Sequence, residues 1–229
     1  MKKIYKTRLS FVIDKLNEST ALDRRKILDV GFIGDYEEAV VHYKIVDSLE
    51  KSDILFGIDI DKEKLDNFLK NEKTKLLQEK YNLNYEVMSV FNTRFADQEI
   101  DDVLVLEVFE HLMSPYSALH EIHRIMKPGG KLIITYPNPL SFAKLIKFIF
   151  QKNLLDMDYL KMFRGAPDHK VFPHPICMAN YLTELNYEIG DIQFIKYDIR
   201  RLPLIGKLFE RFNITRKFSS YIGFCAIKK

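Results

Sequence analysis

The chain has 229 residues, 47% of them apolar and 29% charged, with a formal net charge of +3. That size and balance suit one α/β domain and exclude a disordered or low-complexity chain. Two cysteines, Cys177 and Cys225, exclude a disulfide framework and a cysteine-based metal centre.

The charge is unevenly spread. Residues 1–139 carry 20 Lys and Arg against 24 Asp and Glu, net −4, whereas residues 140–229 carry 15 against 8, net +7. The second part is either the place for an anionic substrate, partner or membrane surface, or a solvated basic face. Met1–Leu16 has no long apolar run and no small-residue cleavage site, so no signal peptide is expected. Leu140–Leu155, broken by Lys144, Lys147 and Lys152, is too short to span a bilayer.

Along the chain, short β-branched runs alternate with longer helical patterns, which predicts a parallel sheet with crossover helices. Arg8–Asn17 reads as a helix through Leu9, Val12, Ile13 and Leu16. Lys26–Val30 is a first strand running into Gly31, and Glu37–Leu49 is a helix. Asp53–Ile60 is a second strand containing Gly57-Ile58-Asp59. Lys62–Tyr81 is predicted as one charged helix, with Asp61 as its cap. Asn84–Val90 and Asp101–Leu106 are the third and fourth strands. Ser114–Met126 is a helix opened by a cap and Pro115 at its first position. Lys127-Pro128-Gly129-Gly130 reads as a turn before a fifth strand, Lys131–Tyr136. Pro137–Pro175 changes period and carries several prolines, so it reads as a segment covering the site, with His174 as a rigid turn element. Ile176–Leu185 is a helix, and Ile189–Ile199 and Tyr221–Ile227 are the last two strands. The whole makes a single domain over 1–229, with 137–175 as an insertion.

Ligands in open parallel sheets bind at the carboxyl ends of the strands, where the strand order reverses. Three segments fall there. The turn Asp29-Val30-Gly31-Phe32-Ile33-Gly34 has glycine where a side chain would block a ligand. Asp59 offers a carboxylate that can accept both hydroxyls of a ribose. Glu107-Val108-Phe109-Glu110-His111 ends the fourth strand as a floor beside the reactive group.

In order and content these segments resemble the class I methyltransferases that use S-adenosylmethionine, over nearly the whole chain. Ile27-Leu28-Asp29-Val30-Gly31 is similar to their first motif and Phe56-Gly57-Ile58-Asp59 to their ribose motif. Phe109-Glu110-His111-Leu112 resembles the segment after the fourth strand, and Arg124–Leu132, with Lys127-Pro128-Gly129-Gly130, the turn before the fifth. Tyr136–Ser141 and His169-Lys170-Val171-Phe172 resemble the branch that methylates glycans and cell-surface polysaccharides. The resemblance implies a Rossmann-like seven-stranded sheet, helices on both faces and a last strand that is antiparallel. It implies S-adenosylmethionine as cofactor, held by Asp29, Gly31, Gly34, Asp59, Ile60, Ser89 and Glu107. Ile33 and Asp35 stand where the family's loop usually has further glycines, and Ser89 where it often has an acid. That departure supports an alternative, a non-catalytic partner subunit with the same fold.

The implied reaction is displacement of a methyl group from a sulfonium onto an oxygen or nitrogen nucleophile, in which a sugar or lipid-linked glycan is one acceptor. The protein's task is to orient the reactants and to offer a base. His111 and His169 are the candidate catalytic residues; each also has a purely structural reading. No metal is needed, and no ligand cluster is evident from spacing. No reader motif for nucleic acid is present, and the fingerprint of a nicotinamide dehydrogenase is missing from Gly31 and Gly34. A cytoplasmic location is expected. Leu140–Phe150 and Leu202–Phe212 are apolar stretches edged with basic residues, which either pack on the sheet or a second copy, or lie on the inner face of an anionic membrane.

Overall fold

The computed structural model describes residues 7–18, 24–33, 40–141, 169–171, 173–195 and 219–229. Seven strands form one sheet: β1 (Lys26–Val30), β2 (Ile54–Asp59), β3 (Asn82–Val87), β4 (Ile100–Leu106), β5 (Met126–Pro137), β6 (Tyr187–Ile195) and β7 (Tyr221–Lys228). Their spatial order is β3-β2-β1-β4-β5-β7-β6. The first five pair in parallel, and β7 lies antiparallel between β5 and β6. The predicted antiparallel last strand is therefore present.

Strand residues alternate between two apolar layers, as a sheet covered on both sides requires. Leu28, Val103, Val105, Leu132, Ile134 and Phe224 join one layer; Ile27, Leu104, Ile133 and Cys225 join the other. The first layer is closed by α5 (Pro115–Ile125) and α6 (Pro175–Glu184). Ala118, Leu119, Ile122 and Ile125 repeat at helical spacing on α5 and are fully buried. At roughly 1.5–3 kcal/mol for each large apolar side chain, that stripe seats the helix. The second layer is closed by α1 (Arg8–Asn17), α2 (Val40–Val46), α3 (Lys62–Lys70) and α4 (Glu72–Lys80). Phe11, Val12 and Leu16 of α1 are fully buried there, and Thr7 and Ser10 cap its start reciprocally.

Several predicted bounds shift. The helix expected over 62–81 is two helices, because Asn71 takes extended dihedrals and caps α4 by accepting the Lys73 N–H. Asp61 caps α3 as expected, accepting the Lys64 N–H at 3.0 Å. Lys127–Gly130 is not a free turn but a bulge within β5: Ile100 pairs with Met126, yet Asp102 pairs with Lys131. β3 begins at Asn82 and ends at Val87, so Ser89 lies beyond it. The helix expected over 37–49 is described as Val40–Val46. Most of the covering segment, residues 142–150 and 202–212 of the two basic apolar stretches, Gly34 and Asp35 lie outside the described residues. Among the described residues, no helix is long and apolar enough to cross a membrane.

Candidate active site

The order reverses between β1 and β4, so the chain leaves these neighbours in opposite directions and opens a crevice at their carboxyl ends. Gly31 stands on the β1 side with φ +63. A Cβ on it would lie 2.7 Å from Cγ2 of Val108, which follows β4. Glycine is required twice over, by backbone conformation and by the close approach of the two strand ends. Its N–H donates to the Ile58 carbonyl at 2.8 Å, so Gly31 shapes the loop without offering a donor to a ligand. Ile33 is 6% exposed and packs into the core beside Phe32. Its side chain points away from solvent, which removes the steric objection to a ligand in this loop.

Asp29 is 2% exposed, and its Oδ2 lies 2.7 Å from Nδ1 of His42 on α2. His42 Nε2 lies 2.9 Å from the Tyr85 hydroxyl. Burial, and then the charge of Asp29, raise the Tyr85 pKa, so the phenol keeps its proton. The consistent assignment has Nδ1–H donating to Asp29 and Nε2 accepting from Tyr85. Phe32 packs over the same corner, with ring centroids 4.5 Å from His42 and 5.1 Å from Tyr85. Gly57 makes room for it, since a Cβ there would meet Tyr85 at 2.7 Å and Phe32 at 2.8 Å. Asp29 is thus an organiser of the loop, tied to α2 and β3. His42 gave no signal in the sequence beyond being polar within an apolar helical run.

Asp59 ends β2 and is half-buried. Its Oδ1 accepts the Asp61 N–H at 3.0 Å, and its second oxygen has no protein partner among the described residues. Ile60 follows at 75% exposure. Ser89 lies half-buried after β3, with its Oγ accepting the Phe91 N–H at 3.2 Å. Ile60, Phe91, Met113 and Leu140 are all exposed large apolar side chains. They lie on the connections that follow β2, β3, β4 and β5 in turn, the side of the sheet on which the crevice opens.

Glu107 leaves β4 with φ +59, an uncommon conformation for a residue with a side chain. Its N–H donates to the Thr135 carbonyl at 2.8 Å, and its Oε2 lies 3.1 Å from Arg8 on α1. After it, Phe109–His111 forms one 3₁₀ turn. The described end of the covering segment docks on that turn. The N–H groups of Lys170 and Val171 donate to the Glu110 carbonyl at 2.6 and 3.2 Å. His111 and His169, far apart in sequence, therefore meet with ring centroids 4.8 Å apart and nearly perpendicular planes. Glu110 is 1% exposed, with Oε1 4.0 Å from His111 Nε2. Ligand atoms of Glu110, His111 and His169 all lie within 4.8 Å of one another. The sequence showed no cluster of this kind; the fold brings these three side chains together. Spacing along the chain could not reveal this one, because His169 reaches it by backbone docking.

Comparison with known proteins agrees with this geometry. Residues 43–134 match a family described as "Methyltransferase domain". A "Ubiquinone biosynthesis O-methyltransferase" of Pseudomonas aeruginosa is 24% identical over 190 residues, covering 81% of this chain and 74% of that protein. Among solved structures, an S-adenosylmethionine-dependent methyltransferase from Aquifex aeolicus superposes with a TM-score of 0.59 at 16% identity, covering 95% of this chain and 89% of that one. A geranyl diphosphate C-methyltransferase from Streptomyces coelicolor, solved with S-adenosyl-L-homocysteine, gives 0.64 at 12% identity, covering 97% and 78%.

Proposed function

We propose that this chain, a class I S-adenosylmethionine-dependent methyltransferase, places its methyl group on a hydroxyl oxygen of an acceptor with a substantial apolar part. The observation that carries the reading is the meeting of His111 and His169 on the turn after β4, beside the crevice that takes the donor. In the transfer an oxygen lone pair forms the new O–C bond as the C–S bond breaks. Its electron pair stays on sulfur, and the acceptor's proton must leave. The two histidines promote that loss.

The donor is assigned to the β1–β4 crevice. The Asp59 carboxylate accepts from the ribose hydroxyls, with Ile60 and Ser89 beside the base. Asp29 and Gly31 hold the shape of the loop around the methionine part, and Glu107 braces the floor through Arg8. Oxygen is favoured over nitrogen because the Pseudomonas relative is named for O-methyl transfer. The glycan acceptor suggested by the sequence finds no counterpart among the relatives named above. The exposed apolar side chains of Ile60, Phe91, Met113 and Leu140 suit a greasier molecule. The buried position of Ile33 weakens the case for a non-catalytic partner subunit.

Methyl transfer to phenolic, sugar and amine acceptors, followed by mass spectrometry, tests the reading. Transfer to a phenolic hydroxyl is expected. His111→Ala and His169→Ala should each lower kcat by about 10²-fold or more, with S-adenosylhomocysteine affinity unchanged. Transfer confined to sugars or amines, or full kcat in both variants, would overturn it.

A further inference from the structure

We propose that His42 is a positioning residue of the donor site: from α2 it holds the Asp29 carboxylate near the end of β1, and Tyr85 of β3 in turn holds its ring. This deepens the donor assignment above and rests on it.

The imidazole is engaged at both nitrogens. His42 stands within the short helix α2 and is 1% exposed. Its Nδ1 lies 2.7 Å from Asp29 Oδ2, and its Nε2 lies 2.9 Å from the Tyr85 hydroxyl. Tyr85 keeps its proton and donates it to Nε2, which leaves the ring hydrogen on Nδ1, facing the carboxylate. The other neutral tautomer would set a bare nitrogen lone pair against Asp29. The surroundings are aromatic: the rings of Phe32, Phe68 and Tyr43 lie 4.5, 5.9 and 6.5 Å from the imidazole. In such a setting a hydrogen bond to a carboxylate is stronger than in water, and an unpaired carboxylate is more costly.

Placement connects this trio to the donor. Asp29 lies between Gly57 and Leu104 in the sheet register and two residues before Gly31. Phe32, the residue after Gly31, packs on the rings of His42 and Tyr85. The turn is thus gripped on either side of Gly31, by the His42–Asp29 bond before it and by the Phe32 ring contacts after it. Among the described residues, His42 supplies the one hydrogen bond to the Asp29 side chain. Without it the buried carboxylate has to turn toward another donor or draw in water, and either movement disturbs the backbone that leads into Gly31. The helix bearing His42 follows β1, whereas the proposed transfer takes place beside the turn after β4. Loss of the grip therefore weakens donor binding first.

Three substitutions at this one position separate positioning from a merely structural role. His42→Leu has a similar volume and removes both bonds. His42→Asn places an amide N–H close to where the Nδ1–H stands, whereas His42→Gln reaches instead toward the position of Nε2. Full-length wild type and variants are titrated with S-adenosylhomocysteine by calorimetry. Binding to His42→Leu and His42→Gln should be about tenfold or more weaker, the loss expected of a hydrogen bond to a charged group, and His42→Asn should recover most of it. Melting temperatures should fall in all three, since each leaves a buried polar group without its partner. Affinity that recovers in His42→Asn while the melting temperature stays low marks positioning. Affinity in His42→Leu equal to the wild type, or a His42→Asn variant as weak as His42→Leu, overturns the proposal. Should His42→Leu not fold, His42→Asn against His42→Gln decides, and equal affinities overturn it. A wild type that binds no S-adenosylhomocysteine removes the donor assignment and this role with it. Wild-type binding that persists unchanged through the variants removes the role of His42 alone.

Discussion

The carboxylate of Asp59, proposed above as the ribose partner, is oriented by its own neighbour. One oxygen accepts the Asp61 N–H, which fixes the rotamer, and Asp61 itself is spent on capping α3. The division of labour leaves the second Asp59 oxygen for the ribose hydroxyls of the proposed donor. Asp59→Ala should therefore cost about 1.5–3 kcal/mol of S-adenosylhomocysteine binding, the range for hydrogen bonds to a charged group. The fold should persist, because the residue ends a strand and is not part of the core. Calorimetry reads the dissociation constant directly, and an unchanged value would remove Asp59 from the donor site. The placement of Gly31 and Asp59 at strand ends was legible in the sequence because the signals are local: a glycine and a carboxylate closing short apolar runs. His42 and Glu110 were not. His42 matters through Asp29 and Tyr85, 13 and 43 residues away. Glu110 was visible within a motif but read as an ordinary acidic residue, and its burial beside the segment carrying His169 is a long-range contact that local pattern does not show.

Beside the apolar layers, charged side chains at the ends of elements tie one element to another. Arg124, near the end of α5, donates to both oxygens of Glu121, to Asp97 and to the Phe95 carbonyl. Glu121 in turn accepts the N–H and hydroxyl of Thr93 at 2.7 and 2.6 Å. The pair clamps the connection between β3 and β4 to α5, and that connection carries Ser89. The Arg124 hydrogen bond foremost, aided by Thr93, holds the Glu121 pKa down to about 2 from its ordinary 4.5. A depressed carboxylate stabilises the fold above its unfolded pKa, and that contribution is lost as pH falls from 4.5 towards 2. Glu121→Gln should thus destabilise the protein at pH 7 by about 1–2 kcal/mol, allowing for solvent screening at this half-buried site. The gap to the wild type should narrow as pH falls below 4.5 and close only below about pH 2. Melting curves across that range check it, and a gap that stays constant with pH would show that the charge is not responsible. Arg124 was legible as part of a family-like motif, whereas its clamp was not, since Thr93 and Asp97 precede it by about thirty residues. The break at Asn71 was missed for a different reason. Leu65, Phe68, Leu76 and Leu77 keep helical spacing through it, and capping chemistry overrode the periodicity.

At the scale of the whole molecule, the alternation of strand residues between two apolar layers was legible, because period two and period 3.6 are carried by neighbouring residues. The position of β7 between β5 and β6 depended on family resemblance; the pattern of Tyr221–Ile227 alone does not say which strands it joins. That arrangement has a consequence for ligand binding. β1 and β4 lie at the centre of the sheet, and the donor site proposed between their ends draws on three strand ends: Gly31 after β1, Asp59 at the end of β2 and Glu107 after β4. Binding should therefore stabilise the domain as a unit. At a free ligand concentration 100 times the dissociation constant, linkage supplies about 2.7 kcal/mol. For a chain of this length that corresponds to a melting shift of about 5–10 °C. S-Adenosylhomocysteine should produce a shift of that order in the wild type. At the same ligand concentration Asp59→Ala should show a much smaller one, since its occupancy falls with its affinity. Differential scanning calorimetry over a ligand series measures both. A wild-type melting temperature that does not move at millimolar ligand would mean that the crevice does not hold the donor. The partner-subunit alternative would then replace the enzyme.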